Sequence, residues 1–152
     1  LAAMNNLAVP AVNELSEQEF AELMAIAHLV ETVVDDSDPD IALGFVVIFT
    51  AGSDYASENY RWFEARGGDF LYVDRIVVGQ GSRGRGLGQV LYDRVFTEAR
   101  LAGLAEVTCE VNLDPPNPGS LAFHDRLGFA QVGELVTKGG SVTVALLSAP
   151  VG

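Results

Sequence analysis

The alternation of apolar and polar positions predicts a chain in which short buried strands and amphipathic helices succeed one another. Strands are predicted at residues 1–6, 29–34, 41–49, 70–78, 105–112, 130–137 and 141–148. Helices are predicted at residues 16–28, 87–102 and 120–127, starting from a capping box at Ser16 and Glu19. The second helix is predicted to end at Gly103 and to bury Leu87, Val90, Leu91, Val95, Ala99 and Ala102. These elements predict an α+β fold, a mixed sheet with helices on both faces.

The connections between these elements offer little chemistry of their own. Residues 35–40 (DDSDPD) carry four carboxylates, but the spacing and the glycine of an EF-hand loop are absent. We therefore interpret this segment as a solvated hairpin turn and expect no metal site. Cys109 is the only cysteine, which excludes an internal disulfide, and its alternation with Val107 and Val111 favours a small core residue.

A glycine-rich stretch at 79–88 (GQGSRGRGLG) joins the predicted strand at 70–78 to the helix at 87–102. Glycines leave the backbone accessible and tolerate unusual dihedral angles, so a ligand can approach the amides closely. The first N–H groups of the helix have no partner within it, and the helix dipole favours an anion there. Arg83 and Arg85 add positive charge, so the stretch predicts a site for phosphates.

Two known phosphate-binding patterns fit this stretch poorly. Gly79, Gly81 and Gly84 spell the dinucleotide pattern GxGxxG, but the predicted helix begins only after Gly86. This pattern leaves a nucleotide-binding oxidoreductase as a less favoured alternative. The P-loop fails because Arg85 and Gly86 stand where lysine and a hydroxyl residue are needed.

A third pattern, R/Q-x-x-G-x-G/A, is satisfied at every position by Arg83, Gly86 and Gly88. It resembles the pyrophosphate loop of the GNAT superfamily of acetyl-CoA-dependent N-acetyltransferases. A second block at 109–129 (CEVNLDPPNPGSLAFHDRLGF) is similar to the family's strand, asparagine and short helix, closing as F-[Y/H]-x-x-L-G-F at 123–129. The resemblance extends loosely over nearly the whole chain. It implies a single GNAT-like domain at 1–152 with a mostly antiparallel sheet.

The resemblance also implies an activity. The family moves an acetyl group from acetyl-CoA to a primary amine of a small molecule, peptide or protein by direct attack in a ternary complex. The diphosphate of the coenzyme is expected on the loop amides, and a backbone N–H of the central strand is expected to polarise the thioester carbonyl. The expected coenzyme contacts are Ile76, Val77, Val78, Arg83, Gly84, Arg85, Gly86, Leu87, Gly88, Asn112, Asn117, Ser120 and His124.

Three residues are candidates for the chemistry. His124 stands where the family often has a tyrosine that protonates the departing thiolate, and it is either that acid or only a coenzyme contact. Asp74, expected on the same face as Val78, and Glu110, expected opposite Cys109, are alternative bases. Either carboxylate could instead pair with an arginine for structural reasons. The missing tyrosine keeps open a second alternative, a non-catalytic CoA-binding sensor or accessory domain.

The aromatic segment before the central strand, residues 51–68, is predicted as a loop. By the resemblance, Tyr60, Trp62 and Phe63 form walls of the acceptor pocket, unless the loop only packs on the sheet. Residues 1–60 contain 11 acidic and no basic side chains, whereas residues 61–152 contain 10 acidic and 9 basic ones. This acidic end suits a cationic amine acceptor, and the net charge of −12 argues against nucleic acid.

Two further expectations concern location and assembly. No apolar run reaches the roughly 18 residues of a membrane helix, so no membrane partner is expected. The first residues lack the basic region of a signal peptide, so we expect a cytoplasmic protein. Dimers are common in the family, and a homodimer is possible here.

Overall fold

The computed structural model describes residues 1–152 and contains one six-stranded sheet. The strands are β1 (Leu29–Asp35), β2 (Asp38–Thr50), β3 (Phe70–Val78), β4 (Glu106–Asp114), β5 (Ala130–Thr137) and β6 (Val142–Pro150). The helices are α1 (Ala2–Asn6), α2 (Glu17–Ile26), α3 (Glu58–Arg66), α4 (Leu87–Leu101) and α5 (Pro118–Arg126). The strand order is β1-β2-β3-β4-β6-β5, and only the β3–β4 pair is parallel. The predicted mixed, mostly antiparallel sheet is confirmed.

Helices cover both faces of this sheet, as the sequence predicts. One face packs against α4 and α5 through a core of 15 buried residues, which includes Cys109 between Val107 and Val111. The other face packs against α1, α2 and α3 through 12 buried residues, many of them aromatic. No helix combines the length and the hydropathy that crossing a bilayer requires.

The two central strands, β3 and β4, are paired over only a short part of their length. β3 and β4 are paired only from Phe70 to Tyr72 on one strand and from Glu106 to Thr108 on the other. Beyond these residues the two strands diverge, so the edge of β3 that faces β4 has no strand partner. A bulge lies just past this point, because Val73 and Arg75 pair with consecutive residues of β2 and leave Asp74 as the extra residue.

Most predicted elements form where they were expected, and two predictions were wrong. Residues 1–6 form a helix instead of a strand, in keeping with the helix-favouring Ala-Ala-Met sequence, and Asn5 is buried. The segment at 51–68 is not all loop, because α3 begins after Ser57, whose side chain accepts a hydrogen bond from the amide of Tyr60.

Caps confirm the predicted start of α2 and the predicted end of α4. However, α2 ends at Ile26 rather than at residue 28, and the buried stripe of α4 differs from its prediction. Ser16 and Glu19 form the capping box of α2, and Gly103 adopts a left-handed φ of 71° after α4. On α4, Val90 is 51% exposed, whereas Tyr92 is fully buried. Tyr92 was missed because its partners come from α5 and β4, outside the local pattern.

A glycine on β5 shows how tightly α3 packs on the sheet. A Cβ atom built at Gly133 would lie 2.5 Å from Cζ2 of Trp62, so any side chain there displaces the indole. We expect Gly133→Ala to lower the free energy of unfolding by roughly 1–3 kcal/mol, as overpacking does elsewhere. Urea denaturation measures this change. The matched control is Gly119→Ala, since a Cβ at this α5 position meets open space; equal midpoints for the two variants would contradict the packing.

Candidate active site

The glycine-rich stretch forms an open loop that ends at an uncapped helix. Gly84 and Gly86 adopt left-handed φ values of 82° and 73°, which side-chain-bearing residues rarely reach. No side chain caps α4, so the amides at its start are free to meet a ligand. A Cβ at Gly88 would lie 3.1 Å from the ring of Phe123, so this glycine lets α4 approach α5. The loop therefore has the backbone accessibility that an anion site needs.

The wedge between β3 and β4 is a narrow cleft of about 80 Å³. It brings together residues that are far apart in the sequence and that were expected to contact the coenzyme: Ile76, Asn112, Asn117, Ser120 and His124. A further opening, lined by Arg83, Asn112 and Asn117, lies between the cleft and the glycine loop. The structure thus places both predicted coenzyme blocks along one path.

A larger cavity of about 250 Å³ adjoins the cleft. Its walls come from the α1–α2 connection (residues 10–13), from Tyr55 and the start of α3, and from the β5–β6 turn at Lys138. The cavity and the cleft share Asp74, Arg75, Glu110 and Asn112. Both candidate bases therefore lie where the two spaces meet.

Glu110 has the chemistry of a base at this junction. Its carboxylate accepts a hydrogen bond from the hydroxyl of Tyr72 at 2.6 Å. Burial, and then the nearby charge of Asp74, raises the pKa of Glu110 to about 8, while hydrogen bonds from Tyr72 and Asn59 oppose that rise. A carboxyl group with this pKa exchanges protons near neutral pH.

Asp74 is held by two partners instead. Its Oδ2 lies 2.7 Å from Nε of Arg75, and its Oδ1 accepts a hydrogen bond from the hydroxyl of Tyr55 at 2.6 Å. The prediction that it shares a face with Val78 was wrong, because the bulge reverses the alternation. Val78 packs toward α4, and Asp74 points to the α3 face with Tyr55.

Arg75 ties the first residues of the chain to this site. It donates from Nη1 to Oδ1 of Asn5 at 3.0 Å and from Nη2 to Oδ1 of Asn13 at 2.8 Å. Asn112 adds a bond from Nδ2 to the carbonyl of Pro10 at 3.0 Å. The α1–α2 connection is therefore fixed across the mouth of the wedge, where it forms a wall of both cavities.

His124 has no free N–H to offer a ligand. Its Nδ1 lies 2.7 Å from the carbonyl oxygen of Ser120, which can only accept, so Nδ1 carries the proton. Its Nε2 then accepts from the hydroxyl of Tyr92 at 2.6 Å. Burial lowers the pKa of His124, which favours the neutral ring that this arrangement needs. The imidazole lines the cleft with both nitrogens engaged.

Several other residues that were predicted to contact the coenzyme have partners within the protein. The side chain of Asn117 accepts from the amide of Ser120 at 3.4 Å and caps α5. The side chain of Val77 is buried in the α3-face core, so only its backbone could meet a ligand. Ile76 and Val78 are partly buried against the opposite core.

The three aromatic residues proposed as pocket walls do not line either cavity. Tyr60 and Phe63 are fully buried in the core beneath α3, and Trp62 packs edge-on against Phe63. Tyr55 and Asn59 of the same segment line the larger cavity instead. The apolar spacing of Tyr60 and Phe63 on one helix face would have indicated core packing.

The sequence matches a known protein family over most of its length. The profile of the Acetyltransferase (GNAT) family matches residues 3–129, most of the chain. The chain belongs to the GNAT acetyltransferase family. This acetyltransferase is therefore an acyltransferase with acetyl-CoA as its coenzyme. No curated protein sequence matches it.

Solved structures of N-acetyltransferases share the fold. Naa20 from Chaetomium thermophilum with a bisubstrate analogue has a TM-score of 0.75 at 16% identity, over 97% of this chain and 79% of that one. The ribosomal-protein-S18-alanine N-acetyltransferase from Escherichia coli has a TM-score of 0.70 at 18% identity, over 99% and 86%. The NatC complex bound to Gag peptide and CoA has a TM-score of 0.73 at 15% identity, over 98% and 88%. At these identities the likeness describes the fold alone.

The residues of this GNAT protein fit the coenzyme. The free amides at the start of α4, the left-handed glycines and two exposed arginines suit a diphosphate. The unpaired edge of β3 past Tyr72 offers backbone groups to the amides of a pantetheine arm.

Arg83 provides a direct test of the loop. It is exposed and forms no ion pair, so its charge is free for the coenzyme. We expect Arg83→Ala to raise the Kd for acetyl-CoA by about tenfold, since charge-assisted bonds to phosphate are among the stronger ones. Isothermal titration calorimetry measures this. Arg100→Ala, another exposed arginine without an ion pair, is the control; equal affinities in both variants would place the diphosphate elsewhere.

The raised pKa of Glu110 also predicts a pH-dependent stability. Between its ordinary pKa of 4.5 and about 8, the unfolded chain has lost this proton and the folded protein retains it. The contribution of Glu110 to stability therefore falls as the pH rises through this window. Glu110→Gln should be more stable than the wild type at pH 9, by on the order of a few kcal/mol, and by much less at pH 5.

Urea denaturation at both pH values measures the difference. Asp125→Asn, which changes an exposed carboxylate on α5, serves as the control and should track the wild type at both. An equal gap between Glu110→Gln and the wild type at pH 5 and pH 9 would show that the pKa is not raised.

Proposed function

We propose that this protein is an N-acetyltransferase that moves the acetyl group of acetyl-CoA to a primary amine of a small molecule, peptide or protein. Transfer is by direct attack in a ternary complex. The observation that supports this most strongly is the position of Glu110, whose pKa of about 8 suits proton transfer near neutral pH, at the junction of the cleft and the larger cavity.

On the coenzyme side, the amides of residues 83–88 hold the diphosphate, with Arg83 and Arg85 beside it. The pantetheine arm follows the free edge of β3 at 76–78 and faces Asn112, Asn117 and Ser120. The bound coenzyme supplies the acetyl group as a thioester. A backbone N–H of Val78 or a neighbour polarises the acetyl carbonyl.

On the acceptor side, the amine enters through the larger cavity. Asp74 and Glu110 line this cavity together with Arg75 and Lys138, so an amine meets groups of both charge signs there. An alkylammonium has a pKa near 10.4, so it must lose a proton before it can attack. Glu110 takes that proton and frees the lone pair of the nitrogen. Asp74 is the less suitable base, because Arg75 and Tyr55 already engage its oxygens.

As the N–C bond forms, the C–S bond breaks and the thiolate departs. A thiol with a pKa near 8.5 leaves with little help, so the reaction does not depend on an acid. His124 then acts as a support for Tyr92 at the wall of the cleft rather than as a proton donor. This role accounts for a histidine with both nitrogens engaged.

We propose peptide amines as candidate acceptors in addition to small amines. The support for them is the fold shared with Naa20, the S18-alanine enzyme and the NatC complex. The cavity is also bounded by the α1–α2 connection and the β5–β6 turn, two loops at the surface of the sheet.

A second candidate is a CoA-binding accessory domain without activity. The engaged nitrogens of His124 favour it, since the position expected to supply an acid does not. Acetyl-CoA binding without thiol release across amines and peptides would select this candidate.

Thiol release with acetyl-CoA and an amine panel tests the transferase. We expect the kcat/KM of the wild type to rise with pH through about 8, because Glu110 must be ionised to act as the base. Glu110→Gln should no longer show this rise of kcat/KM with pH. Its kcat/KM should fall about 100-fold, which is within the range of general base catalysis, while it still binds acetyl-CoA.

Two controls separate Glu110 from other groups. Glu58→Gln changes an exposed carboxylate of the same cavity and should keep the pH profile. The pH dependence of kcat/KM is also measured with acceptors whose amines differ in pKa. A midpoint that stays the same for all acceptors belongs to Glu110, and a midpoint that moves with the amine belongs to the acceptor. Wild-type activity in Glu110→Gln would remove Glu110 from the mechanism.

A further inference from the structure

Asn59 lies at the wall of the larger cavity and carries a hydrogen-bond acceptor without a partner. Its Oδ1 is buried and has no partner, and the residue lines the cavity beside Glu110. Thr108 Oγ1 is the only other buried side-chain atom without a partner, and Thr108 lies inside the sheet and lines neither cavity. A buried acceptor without a donor is unfavourable, so a donor from a ligand would be favourable at Asn59.

The amide group of Asn59 is oriented by Glu110. Asn59 lies close enough to Glu110 to stabilise its carboxylate and to oppose the rise of its pKa. A carboxylate only accepts, so the NH₂ group of Asn59 is the side directed at Glu110. The carbonyl oxygen is therefore left for a second donor close to the same carboxylate.

We propose that Asn59 is a specificity-determining residue that accepts a hydrogen bond from the N–H that a primary amine keeps during acetylation. This inference rests on the proposed function. A primary ammonium has three N–H bonds: one proton goes to Glu110, and a second passes to the departing thiolate as the N–C bond replaces the C–S bond. The third remains in the amide product and is bound by Asn59 Oδ1.

Other nucleophiles lack this hydrogen. A secondary ammonium has two N–H bonds, and acetylation consumes both, so its product carries none. A hydroxyl group gives its single proton to Glu110. With either nucleophile, Asn59 Oδ1 stays without a donor as the reaction proceeds, and sites built to bond a polar hydrogen discriminate strongly against analogues that lack it.

The test compares a primary amine with its N-methyl counterpart, measured as kcat/KM by thiol release. We expect the wild type to prefer the primary amine by about ten- to a hundredfold. Asn59→Leu, which keeps the shape but not the oxygen, should reduce this preference about tenfold. Asn59→Asp retains an acceptor oxygen and should keep the preference, with its pH profile shifted upward by the added charge beside Glu110.

The ratio separates a specific role from a structural one, because general damage lowers both amines alike. Glu58→Gln, the neighbouring change on α3, should leave the ratio at the wild-type value. If Asn59→Leu does not fold, Asn59→Ala also removes the oxygen and replaces it. An unchanged ratio in an active variant without the oxygen overturns the assignment of Asn59 and leaves the transferase intact. A wild type that acetylates no amine overturns both proposals.

Discussion

The early separation of β3 from β4 is the constraint on which the rest of the site depends. Parallel pairing lasts only from Phe70 to Tyr72 on β3, and every group beyond would be hydrogen-bonded to β4 in a continuous sheet. Because pairing stops, the backbone edge that the coenzyme requires is free. The side chain of Glu110, on the diverging part of β4, also gains access to both cavities. The same break thus creates the cleft proposed for the coenzyme and its contact with the larger cavity.

A buried polar network holds the open end of this wedge. The side chains of Arg75 and Asp74 are 5% and 4% exposed, and burying such charges is costly unless their hydrogen bonds are satisfied. All three guanidinium nitrogens of Arg75 have partners, and two of these partners are Asn5 and Asn13. The start of the chain is consequently part of the wall of both cavities, and these bonds explain why α1 docks against the sheet although it is only five residues long.

The proposed role of Glu110 as a base conflicts with its effect on stability. An ionised carboxylate beside Asp74 and largely out of water lowers the stability of the fold above neutral pH. The same environment raises its pKa to about 8, near the pH at which a base is useful. Tyr72 and Asn59 limit the shift by donating hydrogen bonds to the charged form, so the group remains able to ionise.

Contiguous sequence by itself determined the six strands of the sheet, the glycine loop between 79 and 88 and the family, although it also predicted a strand at residues 1–6 where α1 forms. Each of these features depends on residues that are close in the sequence, because backbone dihedral preferences and the spacing of apolar residues are local properties. It could not identify the wall of the larger cavity, because Asn59 and Glu110 come together there across 50 residues of chain. A one-residue bulge reversed the face of Asp74, and distant partners engaged both nitrogens of His124. Only the tertiary structure decided which groups are free to react, because that depends on hydrogen bonds and burial supplied by remote segments.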